Sequence, residues 1–314
     1  MKKQNTGLLA PQYQNEDAAR AHIESIHWPD GPICSHCGVL DDATKLEPRE
    51  GSKNGVRKGV WNCNSCREQF TVTIGTIFED SHIPLHKWLL AIHLMASSKK
   101  GISALQLMRN LEIGSYRTAW FMAHRIRWAL TQEPIKGALQ GIVEIDETYV
   151  GGKVKGHGVK AGKDNKTPVV SLVERGGRAR SYQVERVNAR NLRPIIKEHV
   201  HGWSQVMTDD AAIYPHVLKG RVASHDVVNH SKDEYVRREN GKCVTTNSVE
   251  SFFAILKRGH YGIYHHWDRK YMGQYLREYD WRYNVRGFPD IERTVIALKM
   301  TVGKRMRLKP PENA

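Results

Sequence analysis

Residues 142–150 read IVEIDETYV. The run has the look of a strand, yet Glu144, Asp146 and Glu147 place three acids within four positions. Acids are poor strand formers and costly to bury unpaired. On a strand, Glu144, Asp146 and Thr148 share one face while Val143 and Ile145 take the other. An acid on a central strand is stable when it meets a cation. The next Lys or Arg in the chain is Lys153, so a bound metal ion is the obvious partner.

The rest of the chain is basic. Its 314 residues carry 48 Lys and Arg against 33 Asp and Glu, a net charge of +15. That balance favours a polyanionic partner, most simply nucleic acid. The chain is long enough for two or three domains with a sizeable core. No apolar run approaches the roughly 18 residues that span a bilayer; WLLAIHLMA at 88–96 is short and carries His93. The N-terminus lacks an apolar segment suited to secretion, so the expected location is cytoplasmic, with no membrane partner.

Four of the five cysteines form two CxxC pairs, Cys34 with Cys37 and Cys63 with Cys66, separated by 25 residues. Four thiolates delivered from two turns suit tetrahedral Zn²⁺. A segment this small has little core and would depend on the metal to fold. The spacing predicts a structural zinc ribbon with one extended hairpin, and His36 as a spectator. Cys243 reads as an ordinary free thiol.

The periodicity divides the chain into a zinc ribbon with a flanking helix over 15–80, a helical segment over 81–135, a mixed domain over 139–303 and a basic tail over 304–314. Asn15 is placed to cap the first helix. Leu85, Trp88, Leu89, Ile92 and Met95 lie near one face of a second. SALQLMRNL and SYRTAWFMAHRIRWALTQ, joined by a short turn containing Gly114, give a helix-turn-helix signal. Arg117, Arg125 and Arg127 on the latter helix are DNA-binding candidates for a major groove; equally, its aromatics could simply fill a core.

Two more acidic stretches follow. Asp209 and Asp210 come after the short strand SQVMT, where they suit a crevice site or a helix N-cap. Glu250 sits three residues after Asn247, which also reads as a capping box. Lys257 lies seven past Glu250, on the same helical line about 10 Å away. Hard carboxylate oxygens suit Mg²⁺, and a pair of such ions serves phosphodiester chemistry. Three strands, a helix, a strand, a helix, a strand and then helices is the order of an RNase H-like domain. The predicted class is therefore α/β: an RNase H-like mixed-sheet catalytic domain, preceded by a zinc ribbon and a small helix-turn-helix-like segment.

Taken together, the CxxC pairs, EIDETYVGGK, TDDAAIYPHV, VVNHSKDEYV, TTNSVESFFAILKRG and YLREYDWRYNVR resemble the zinc-ribbon-containing bacterial insertion-sequence DDE transposases, the ISXO-like family. The resemblance spans roughly 20–300. It implies Asp146, Asp209 and Glu250 as the catalytic triad holding Mg²⁺ (or Mn²⁺), with Lys257 as a DNA contact at the active site and Arg258 beside it. Glu147 and Asp210 are then neighbours rather than ligands, a choice the sequence alone leaves open. The implied activity is cleavage at the element's terminal inverted repeats followed by strand transfer into target DNA. A dimer or larger assembly would hold the two ends, nucleoid-associated when bound. A nuclease of the same fold, and a zinc-ribbon regulator with structural acids, are the competing readings.

Overall fold

The computed structural model describes residues 7–47, 58–131, 137–151, 166–239 and 241–305. The extended part of the ribbon hairpin, Lys153 and the end of the basic tail lie outside these residues. In chain order the elements are α1 (Glu16–His27), β1 (Ala43–Lys45), β2 (Trp61–Cys63), β3 (Gln69–Phe70), α2 (Leu85–Ser97), α3 (Ala104–Asn110) and α4 (Tyr116–Ala129). Then come β4 (Ile142–Val150), β5 (Thr167–Glu174), β6 (Ala179–Gln183), α5 (Ala189–His199), β7 (Gln205–Thr208), α6 (Ile213–Leu218) and β8 (Ser224–Val227). A hairpin of β9 (Arg237–Glu239) and β10 (Lys242–Val244) leads to α7 (Asn247–Gly259), α8 (Met272–Asn284) and α9 (Asp290–Lys299). No helix among the described residues is long and apolar enough to cross a membrane.

The chain forms two compact units. One comprises the residues up to Ser98, Ala104–Leu130 and those from Phe288 onward; the other comprises Lys99–Ser103 and Thr131–Gly287.

In the first unit, β1, β2 and β3 form an antiparallel sheet in that order. Asn15 caps α1 as its position predicts, accepting the N–H groups of Asp17 and Ala18. All five residues of the predicted apolar stripe on α2 are buried. Pro84 leaves the start of α2 without a cap of its own, and Glu16 of α1 accepts the Leu85 N–H instead at 2.6 Å. The α3–α4 link turns at Glu112, with φ 50°, rather than at Gly114. The Ile113 N–H returns to the Met108 carbonyl at 2.9 Å, closing α3 as a Schellman motif does. Helix α9, expected with the sheet, belongs here: His93 on α2 meets the Thr294 hydroxyl at 2.8 Å, and His27 on α1 meets the Leu298 carbonyl at 3.0 Å.

The second unit is built on a five-stranded sheet of order β6-β5-β4-β7-β8. β4 runs antiparallel to β5 and parallel to β7, and β7 runs parallel to β8. Strand alternation sorts the core into two faces. Val143, Ile145, Val170, Leu172 and Val206 pack with Leu192 and Ile196 of α5 and Val217 of α6. Val150, Val169 and Val173 pack with Val249, Phe252 and Leu256 of α7 and Leu276 and Tyr279 of α8. A mixed sheet in this order, with helices on both faces and acids on its central strand, is the RNase H-like architecture.

Candidate metal centres and carboxylate site

The first CxxC turn presents its sulfurs because the chain reverses tightly: the Gly38 N–H bonds the Cys34 carbonyl at 2.9 Å, with Gly38 at φ 76°. The second turn repeats the device with Arg67, whose N–H bonds the Cys63 carbonyl at 3.0 Å at φ 65°. Cys34 and Cys66 Sγ lie 3.7 Å apart, and Cys37 and Cys63 Sγ 3.6 Å. Four sulfurs about 2.3 Å from a tetrahedral ion would be about 3.8 Å apart, so the cluster can coordinate a metal. Among the described residues it is the group of His, Cys, Asp and Glu whose ligand atoms all fall within 4.8 Å of one another. The His36 ring is directed to the Gln69 carbonyl instead, at 3.2 Å.

The three acids of β4 have three different fates. Glu144 is fully buried, and where the sequence suggests a bound metal ion as partner, its carboxylate meets Arg175, whose Nη2 lies 2.8 Å away. The same carboxylate accepts the N–H groups of Ser248 at 2.6 Å and Val249 at 3.1 Å. Glu147 points to the α5–α6 face, where it accepts the Tyr214 hydroxyl. Asp146, half-buried, shares the face of Glu144.

Asp209 enters through strand register. β4 pairs with β7 as Ile142 with Gln205, Val143 with Val206 and Glu144 with Met207. The ladder ends there, and Asp209, just past the end of β7, comes near enough for its charge to act on Asp146. Asp209 also accepts the Ala211 N–H at 3.2 Å, but this lies ahead of α6, whose N-cap is Ala212 without a side-chain bond, so the helix-cap reading does not hold for Asp209. Asp210 is exposed and turned to the Ser231 hydroxyl at 2.8 Å. Glu250 arrives on the first turn of α7. That helix is capped from Glu144, and Thr246, not Asn247, is its N-cap; the capping box expected from Asn247 does not form. Glu250 accepts the Thr246 hydroxyl at 2.6 Å, and His230 Nε2 lies 3.3 Å from the same oxygen.

Burial, then the charges of Asp209, Glu147 and Glu250, push the Asp146 carboxyl up to about 7, against the pull of the Glu147 N–H. Burial and the charge of Asp210 raise Asp209, which His230 partly offsets. None of Asp146, Asp209 and Glu250 is sealed beneath apolar neighbours. Their oxygens do not meet the 4.8 Å mutual spacing of the cysteines. Hard carboxylate oxygens are the donor type that suits a divalent cation such as Mg²⁺.

Lys257 and Arg258 are exposed on the same helix. Arg117 is exposed at the start of α4. Arg125 and Arg127 are not free to read a groove as expected. Arg125 is 7% exposed, donates to the Glu79 carbonyl at 2.8 Å and lies over the Trp88 ring, and Arg127 is 2% exposed. Residue-level reading gives His230 and Arg175 no role, and it singles out Glu144 without finding Arg175 as its partner. His230 does fall inside VVNHSKDEYV, a stretch the family resemblance already marked.

Sheet order and acid placement define the class, an RNase H-like domain behind a four-cysteine ribbon. Comparison with known families agrees: residues 138–284 match the ISXO2-like transposase domain, and residues 14–69 match the transposase zinc-ribbon domain. The chain belongs to the zinc-ribbon-containing, ISXO-like family of DDE transposases. It is also 26% identical over 291 residues, 87% of this chain and 92% of the relative, to an uncharacterized protein in transposable element ISH50 of Halobacterium salinarum.

Proposed function

We propose that this chain is the DNA transposase of its insertion element, cutting the element's terminal inverted repeats and joining the freed ends to target DNA. What supports this reading is that β4, the end of β7 and the first turn of α7 bring Asp146, Asp209 and Glu250 within electrostatic reach of one another, with Asp146 raised to about 7 by burial and by its neighbours' charges. Asp146, Asp209 and Glu250 would hold Mg²⁺ or Mn²⁺, which supplies charge neutralisation for phosphodiester displacement. Cys34, Cys37, Cys63 and Cys66 would hold a structural Zn²⁺.

The residues then have distinct tasks. Lys257 and Arg258 neutralise phosphates beside the carboxylates, and Arg117 adds a contact from the first unit. Water displaces the bridging oxygen at an element end, leaving a 3′-hydroxyl and a 5′-phosphate. That hydroxyl next displaces a bridging oxygen of target DNA, so one phosphodiester forms as one breaks. Two ends must be held at once, which calls for at least a dimer on DNA.

The test is incubation of the full chain with duplexes bearing the element's ends, a target plasmid and Mg²⁺. Cutting and joining that vanish in D146N, D209N and E250Q support the reading. Cutting without joining would leave a nuclease, and sequence-specific binding with no metal-dependent cutting would leave a regulator.

A further inference from the structure

We propose that Glu144 and Arg175 form a positioning clamp that sets the separation of Asp146 and Glu250. Glu144 is fully buried on β4. Its Oε2 accepts the Ser248 and Val249 N–H groups at 2.6 and 3.1 Å, and its Oε1 accepts the Ser248 hydroxyl at 3.0 Å and Arg175 Nε at 2.9 Å. Arg175 also donates to the carbonyls of Cys243 at 2.9 Å and Thr245 at 3.1 Å, on the segment that leads into α7. Helix α7 has no side-chain cap of its own.

The clamp is adjacent to the site on both sides. Asp146 lies two residues beyond Glu144 on the same strand face, and Glu250 lies two residues beyond Ser248 on the helix. One carboxylate thus joins the two elements that carry two of the three acids. Its partners determine where α7 begins and how its first turn is rotated. Asp146, Asp209 and Glu250 repel one another, so nothing within the triad would hold α7 against β4. The Glu144–Arg175 pair does so from beneath. A buried ion pair is weak evidence for stability in itself; its placement here gives it a geometric task.

This inference rests on the triad holding a divalent cation, and the experiment separates the two. Mn²⁺ is titrated into the full-length, zinc-loaded chain, and free Mn²⁺ is read by electron paramagnetic resonance, with thermal melting and zinc content in parallel. E144Q keeps the shape of the side chain, but its amide turns a donor toward donors. We expect it to retain zinc and a cooperative melt while Mn²⁺ affinity falls about tenfold or more, as for loss of an outer partner of a metal ligand. R175K, which keeps the charge of a side chain only 25% exposed, should weaken Mn²⁺ in the same direction. It decides the matter if E144Q does not fold. In an E250Q background, E144Q should add little, because the helix no longer presents the ligand. Mn²⁺ affinity within about twofold of wild type in folded E144Q or R175K, or full additivity with E250Q, would overturn the clamp. Wild-type Mn²⁺ binding by D146N would instead remove the triad, and the clamp with it.

Discussion

At the scale of residues, the chain spends its acids in ways that type alone does not reveal. Glu144, Asp146 and Glu147 are neighbours in sequence, yet one answers an arginine, one stays in the crevice and one meets a tyrosine. The alternation of faces was legible, because strand period is fixed by geometry. The partner of Glu144 was not, since Arg175 is 31 residues away and reaches it only through the β4–β5 pairing. Asp146 gives a pH prediction. A carboxyl raised from 3.8 to about 7 holds its proton more tightly in the folded chain than in the unfolded one. Its stabilising contribution is therefore complete below about pH 4 and is lost as pH rises to about 7. The whole shift corresponds to on the order of 4 kcal/mol, with about 2 kcal/mol of it between pH 5.5 and 7. In Mg²⁺-free buffer with zinc retained, denaturant melts should show wild type losing stability across that window, D146N a flatter profile, and added Mg²⁺ restoring the wild type at the upper end. Identical slopes for D146N and wild type would show that Asp146 is not the group responsible.

At the scale of elements, two helices take their N-terminal caps from distant acids. α2 is capped by Glu16 and α7 by Glu144. Neither could be read from local capping patterns, which look only a few residues upstream. The sheet strands and main helices were legible because each keeps its period for several residues. The β9–β10 hairpin, three residues a side, is too short to carry one. The arginines of α4 were misjudged for a related reason: charge on a helix suggests DNA, while orientation decides. Arg117 is exposed, whereas Arg125 is spent on Glu79 and Trp88. R117A should therefore leave the melting temperature within about 1 °C, weaken DNA binding, and reduce the slope of log affinity against log salt by about one. R125M should do the opposite. It leaves the Glu79 carbonyl without that donor and costs about 1–3 kcal/mol of stability, seen as a lower melting midpoint, with little change in salt slope. A salt slope that drops in R125M as much as in R117A would return Arg125 to the DNA surface.

At the scale of the whole molecule, the five-stranded sheet and the ribbon rely on different sources of stability. The five-stranded sheet has an apolar core on each face, more than a dozen buried residues in each. The ribbon's own cluster has three fully buried residues, of which two are the cysteines Cys34 and Cys63. With so little apolar area removed from water, the ribbon cannot offset its chain entropy without a metal. The CxxC spacing made the four-sulfur cluster legible, because four thiolates at two turns have few other uses. The placement of α9 was not legible, since adjacency to α8 in sequence suggests the sheet, while His93–Thr294 and His27–Leu298 tie it to the first unit. Zinc removal should therefore act locally. Chelation, or C63S, should abolish amide-exchange protection in β1–β3 and loosen the Trp28 and Trp61 environments that pack there. The amides of β4, β5 and β7 should stay protected, because their cores contain no cysteine ligand. Hydrogen exchange read by mass spectrometry distinguishes the outcomes: uniform loss of protection across both sets of strands would mean the metal supports the entire chain, and no loss in β1–β3 would mean the ribbon folds without it.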